Sequence, residues 1–178
     1  MEKNSINEIG RRLKLSPRGI YKILKKLEKI NTIKSEKIGN SIFYKINFEK
    51  EVGIKLAEFV LMQNEVNSYI KVQIEDLKGL KDIALSCVLF GSVLKVWKEA
   101  KDIDILFVLN KKNFDIFHRR IEEIKDFKPK KVHEILSTKY DLIKNIRNND
   151  EVILDIIKTG NVLWGAEIIV EAIKYGTS

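Results

Sequence analysis

Apolar positions in the first third of the chain recur at helical spacing, with polar residues between them. Ile6, Ile9 and Leu13 share one helical face, and Ser5 followed by Glu8 fits a capping box just ahead of them. Lys14 and Leu15 make a short turn. Ser16 followed by Pro17 is a second start signal, an N-cap and then proline at the first helical position. The next helix is predicted over residues 17–30, with Ile20, Ile23, Leu24, Leu27 and Ile30 as its buried stripe. Arg18, Lys22, Lys25 and Lys29 fall on the other face, with Tyr21 beside them. The period then shortens to two. Thr32–Ser35 and Ser41–Phe48 read as strands, and Gly39-Asn40 between them is a hairpin turn signal.

Helical spacing returns over residues 50–78, where Val52, Leu56, Phe59, Val60, Val66, Ile70, Ile74 and Leu77 recur without an intervening proline. One long helix or two in line fit this stretch. Its apolar stripe needs a partner: the preceding segment, the following domain, or its own copy in a homodimer. Ile83–Phe90 is an apolar run suited to a buried strand. Val93–Ala100 fits a short helix or loop, and a second strand follows over Asp102–Leu109. Phe114–Phe127 is predicted as an amphipathic helix and Lys131–Ser137 as a strand. Thr138–Arg147 and Asp150–Lys158 read as helices, the latter stopped by Gly160, and Ala166–Tyr175 as the last. The expected class is α+β, in three parts: residues 1–50, a helical connector over 51–79, and a mixed sheet with flanking helices over 80–178.

Charge separates the first part from the rest. Residues 1–50 hold 13 Lys and Arg against 5 Asp and Glu, while residues 51–178 hold 20 of each, so the net +8 of the chain lies in its first 50 residues. An excess this local, on a segment with helical pattern, points to a polyanion, above all nucleic acid. No run approaches 18 apolar residues, so no membrane span is expected. The first ten residues lack the apolar core of a signal peptide. The single cysteine, Cys87, lies in the apolar run ALSCVLF and reads as a core thiol in a reducing, cytoplasmic setting.

Two short helices joined by a tight turn, the second with a basic face, and then a hairpin, describe a helix-turn-helix with a wing. Residues 5–48 resemble the winged helix-turn-helix domains of prokaryotic transcription regulators. The resemblance implies double-stranded DNA as partner, with the second helix in the major groove. Ser16, Arg18, Gly19, Tyr21, Lys22 and Lys25 would then face DNA, and Lys37, Asn40 and Lys45 would meet phosphate from the wing. The chain starts too late to include the helix that usually precedes the motif.

The stretch FGSVLKVWKEAKDIDI, residues 90–105, carries the other candidate chemistry. Asp102 and Asp104 fall on one face of their strand, roughly 7 Å apart along the backbone. Two carboxylates so placed repel unless a cation lies between them, and together with a triphosphate they would seat Mg²⁺. Gly91 lets a phosphate approach the backbone, and the Ser92 hydroxyl can bond to it. An apolar strand, Gly-Ser, a spacer and then Asp-x-Asp on the next strand resembles the nucleotidyltransferase superfamily of DNA polymerase beta, in its minimal prokaryotic form. The resemblance covers residues 80–178. It implies transfer of a nucleoside monophosphate from a nucleoside triphosphate such as ATP, with two metal ions. Gly91 and Ser92 would grip phosphate, while Asp102 and Asp104 would hold metal.

The chain departs from that pattern in three places. The Ala-Arg-Gly common after Gly-Ser is Leu94, Lys95 and Val96, leaving only the Lys95 charge, without arginine's fork. Lys101 stands where a serine is common. The third carboxylate of the superfamily would have to be Glu134, the one acid in KVHEILS, which reads either as that group or as a strand-edge surface residue. His133 beside it reads as a surface or packing residue. The leading expectation is a DNA-binding transcription regulator whose second domain binds, or once bound, a nucleotide. The alternative is a Mg²⁺-dependent nucleotidyltransferase, antitoxin-like, that modifies a partner protein, a small molecule or a nucleic acid.

Overall fold

The computed structural model describes residues 4–62 and 68–177. The chain is mixed α and β, with two sheets in two compact units that divide between Glu58 and Phe59. The division falls inside the expected connector, which forms two helices: α3, Glu51–Met62, and α4, Ser68–Leu77. Val66 of the expected stripe lies outside the described residues.

The first unit is built from β1 (Asn4–Ser5), α1 (Ile6–Leu13), α2 (Pro17–Lys29), β2 (Ile33–Ile38) and β3 (Ser41–Ile46), with most of α3. Both helix starts follow the sequence signals. The Glu8 N–H donates to Ser5 Oγ at 3.4 Å, and the Ser5 N–H donates to the Glu8 carboxylate at 2.7 Å. Glu8 is thereby held below the usual carboxylate range, first by the Ser5 backbone N–H and then by its hydroxyl. Ser16 caps α2, accepting from the Gly19 N–H at 3.2 Å, with Pro17 in the first turn. Lys14 takes φ +53 to close the turn between the helices.

A two-residue strand absent from the pattern reading, β1, pairs antiparallel with β3, so the sheet order is β1-β3-β2. Gly39 adopts φ +57 in the two-residue loop that joins Ile38 to Ser41. Ile20, Leu24, Ile33 and Tyr44 form the core, with Ile6, Ile9, Leu27 and Ile46 packed on it. Two residues of the expected stripe on α2 are not buried: Ile23 is 47% exposed and Ile30 56%. Both lie on one flank of the stripe. The core that α1 and the hairpin form with α2 gathers on Ile20, Leu24 and Leu27.

The second unit holds α4, then β4 (Ala84–Phe90), β5 (Asp102–Leu109), α5 (Phe114–Asp126), β6 (Lys131–Ser137), α6 (Lys139–Arg147), α7 (Glu151–Thr159), β7 (Asn161–Trp164) and α8 (Ala166–Gly176). The sheet order is β6-β5-β4-β7, with β5 and β6 parallel and the other pairs antiparallel. One face carries Cys87, Leu89, Ile103, Ile105, Phe107 and Val132 against Ile70 and Leu77 of α4 and Phe117 and Ile121 of α5. Helices α6, α7 and α8 pack on the sheet strands as well, α7 and α8 on β4 and α6 on β5 and β6. Cys87 is fully buried, and burial pushes its thiol well above the usual range, so it is an inert core group. The Trp164 indole N–H donates to the Ala84 carbonyl at 3.0 Å and ties β7 to the start of β4. Among the described residues no helix is long and apolar enough to cross a membrane.

Candidate functional site

Two candidate sites lie in separate units. In the first unit, α2 turns Ile20 and Leu24 inward, and the 100° step per residue carries Arg18, Lys22, Lys25 and Lys29 to the opposite, solvent side. Tyr21 flanks them, 46% exposed. Ser16 is exposed, with its oxygen already serving the Gly19 N–H as a cap. Lys25 is the one member of this face with a close acidic partner among the described residues, the Glu28 carboxylate at 2.6 Å. That bond raises the Lys25 amine above its usual range. Glu28 is lowered by Lys25 and then by the Ser35 hydroxyl, which donates to it and ties α2 to β2.

The hairpin brings Lys37 and Asn40 to exposed positions at its tip. Lys45 lies further down β3, where Glu36 accepts from its amine at 3.1 Å. The expected helix and wing positions are therefore all at the surface, except half-buried Gly19. Lys25 and Lys45 are partly engaged within the protein. Arg11, Arg12 and Lys14, exposed at the end of α1, add charge that the motif reading did not single out.

In the second unit, the strand pairing decides what surrounds the two aspartates. Asp102 and Asp104 are half-buried on β5, on the face opposite Ile103 and Ile105. Antiparallel pairing sets Phe90 beside Asp104. Parallel pairing with β6 sets Lys131 beside Asp102 and His133 beside Asp104. His133 Nδ1 lies 3.5 Å from Asp104 Oδ1.

Glu134 pairs with Ile105 and so points to the other face of the sheet. There its carboxylate accepts from the Lys125 amine of α5 at 2.8 Å. Burial works against the Lys125 charge, but bonds to Glu122 and Glu134 outweigh it and hold the amine above its usual range. The expectation of Glu134 as the third carboxylate is thus corrected: alternation along β6 turns it away from Asp102 and Asp104. His133, read from the sequence as surface or packing, occupies the place beside them. Only the register between β5 and β6 reveals this.

Gly91 ends β4 with φ +81 and ψ −159, a region essentially reserved for glycine. A Cβ built on it would collide with the Asp104 carboxylate. The missing side chain therefore makes room for Asp104 itself. Ser92 is exposed and opens a single 3-10 turn, Ser92–Leu94, too short to carry an appreciable helix dipole. Lys95 is exposed just after that turn. The spacer is pinned from the bend just before β6: the Lys130 amine donates to the carbonyls of Lys98, at 3.1 Å, and Ala100. Within the spacer Trp97 stacks on Tyr69 of α4, ring centres 5.4 Å apart.

A two-metal site needs convergent oxygen donors. Among the described residues no three His, Cys, Asp or Glu side chains converge to hold a metal ion. Beside Asp102 and Asp104, β6 offers Lys131 and His133 and no further oxygen donor side chain. Compared with protein-family models, with characterised proteins and with solved structures, the chain matches none.

Proposed function

We propose that this protein binds double-stranded DNA through a winged helix-turn-helix formed by residues 5–48, and acts as a transcription regulator. The observation that carries the reading is the basic face of α2: Arg18, Lys22, Lys25 and Lys29 exposed opposite the core residues Ile20 and Leu24. The helix–turn–helix–hairpin order, the added strand β1 and the exposed hairpin tip at Lys37 and Asn40 support it.

In this reading α2 enters the major groove and the hairpin lies along the backbone. Each lysine or arginine set against a phosphate releases condensed counterions, and this supplies most of the affinity. Gly39, with no side chain at the tip, lets the hairpin backbone come close to the sugar-phosphate chain. The second unit is read as a module of nucleotidyltransferase type through which the regulator answers to a nucleotide. The rival reading, an enzyme that transfers nucleotides, requires a third carboxylate beside Asp102 and Asp104. There β6 offers Lys131 and His133.

The test is a titration of a labelled random-sequence duplex of about 30 base pairs, followed by fluorescence anisotropy. Binding is expected with a Kd on the order of 10⁻⁶ M or tighter in about 50 mM salt, at or below the range of non-specific binders. The doubly substituted Arg18→Ala, Lys22→Ala protein should bind more weakly, with a flatter salt dependence. No binding by the wild-type protein under these conditions would overturn the proposal.

A further inference from the structure

We propose that Asp102 and Asp104 are answered by the protein's own bases, Lys131 and His133, and that the second unit therefore holds no catalytic divalent ion. This goes beyond the DNA-binding reading and does not depend on it.

In a parallel pair, neighbouring residues share a face and sit about 4.8 Å apart at the backbone. Asp102 has Lys131 as that neighbour, and Asp104 has His133. The imidazole already reaches the Asp104 carboxylate, at 3.5 Å. On its other side, Asp104 packs into the space that Gly91 leaves free. Asp104 thus has an imidazole close by and Asp102 a lysine as its strand neighbour, on one face of the sheet. Magnesium demands oxygen donors in near-octahedral array and loses its waters reluctantly. Here the strand that should complete the array presents an ammonium and an imidazole, and its only carboxylate, Glu134, faces away and is bonded to Lys125.

One residue of register accounts for the difference. Shifting β6 by one position would exchange its two faces. The chain instead has Glu134 at the position whose side chain joins the α5 side, and a histidine where an acid would face Asp104. The consequence for function is specific. Nucleotidyl transfer of the two-metal kind has no seat in the second unit.

The test uses the full-length protein and Mn²⁺ alone, followed by electron paramagnetic resonance of the free ion at neutral pH. The wild type is compared with His133→Asp, which would put a third carboxylate on this face, and with His133→Asp combined with Asp104→Ala. His133 is largely exposed, its side chain 48% accessible, so the fold should tolerate the exchange, which a thermal melt checks. The expected result is weak, non-saturating binding by the wild type and a gain of about tenfold or more in His133→Asp, the scale on which a metal site's own groups act. That gain should vanish when Asp104 is removed. Stoichiometric Mn²⁺ binding by the wild type would overturn the proposal, whether or not the variant folds. So would equal weakness of wild type and folded variant, because His133 would then not be what withholds the ion. Either result leaves DNA binding by the first unit to be judged by its own titration.

Discussion

Replacing Gly91 by alanine should destabilise the second unit by an amount that depends on Asp104. Two separate costs meet at this position. The backbone, at φ +81 and ψ −159, lies where a Cβ is strained, at about 1–3 kcal/mol. The new methyl would also overlap the Asp104 carboxylate oxygen, an overpacking cost of about 1–3 kcal/mol more. The combined loss is then roughly 2–6 kcal/mol. The carboxylate part should disappear in an Asp104→Ala background, while the backbone part persists. A double-mutant cycle by urea denaturation reads the difference as a coupling between the two sites of about 1 kcal/mol or more. Fluorescence of Trp97 and Trp164, both in the second unit, follows the transition. A loss below about 0.5 kcal/mol for Gly91→Ala, or one that Asp104→Ala leaves unchanged, would refute the claim that this glycine exists to seat the aspartate.

Other consequences concern single contacts. Ser16→Ala should cost the first unit about 1 kcal/mol, because the Gly19 N–H loses its cap, and the loss should appear in urea denaturation followed by circular dichroism. Trp164→Phe should cost about 1 kcal/mol for the bond to the Ala84 carbonyl, measured in the same way. Tyr69 is buried, and burial pushes its hydroxyl up to about 12. An unfolded tyrosine ionises near 10, so the unfolded chain releases this proton first. Stability should then be intact below pH 10 and fall as the pH rises toward 12. Tyr69→Phe should flatten that alkaline slope in melts taken across the range.

Local signals made most of the fold legible before the structure. Both caps at Ser5 and Ser16, the Gly39-Asn40 turn and the strands over Asp102–Leu109 and Lys131–Ser137 rest on short-range preferences, and they appear where the pattern puts them. What the pattern missed depends on partners distant in sequence. The strand β1 is two residues long and exists only because β3 pairs with it. Ile23 and Ile30 satisfy the helical stripe, yet the core under α2 gathers on Ile20, Leu24 and Leu27 and leaves them exposed. Glu134 and His133 are adjacent in sequence, and alternation sends them to opposite faces. Which face meets Asp104 follows from the register of β6 on β5, which no single strand encodes.

The basic face of α2 is the centre of the functional account, and the salt dependence of duplex binding tests it most directly. Wild-type protein and the Arg18→Ala, Lys22→Ala variant are titrated with the same labelled duplex at several salt concentrations, and log Kd is plotted against log salt. Each phosphate contact contributes about 0.9 to the slope, so the variant should lose close to 2 and bind more weakly at every salt. Indistinguishable slopes and affinities for the two proteins, or no duplex binding by the wild type, would contradict the account.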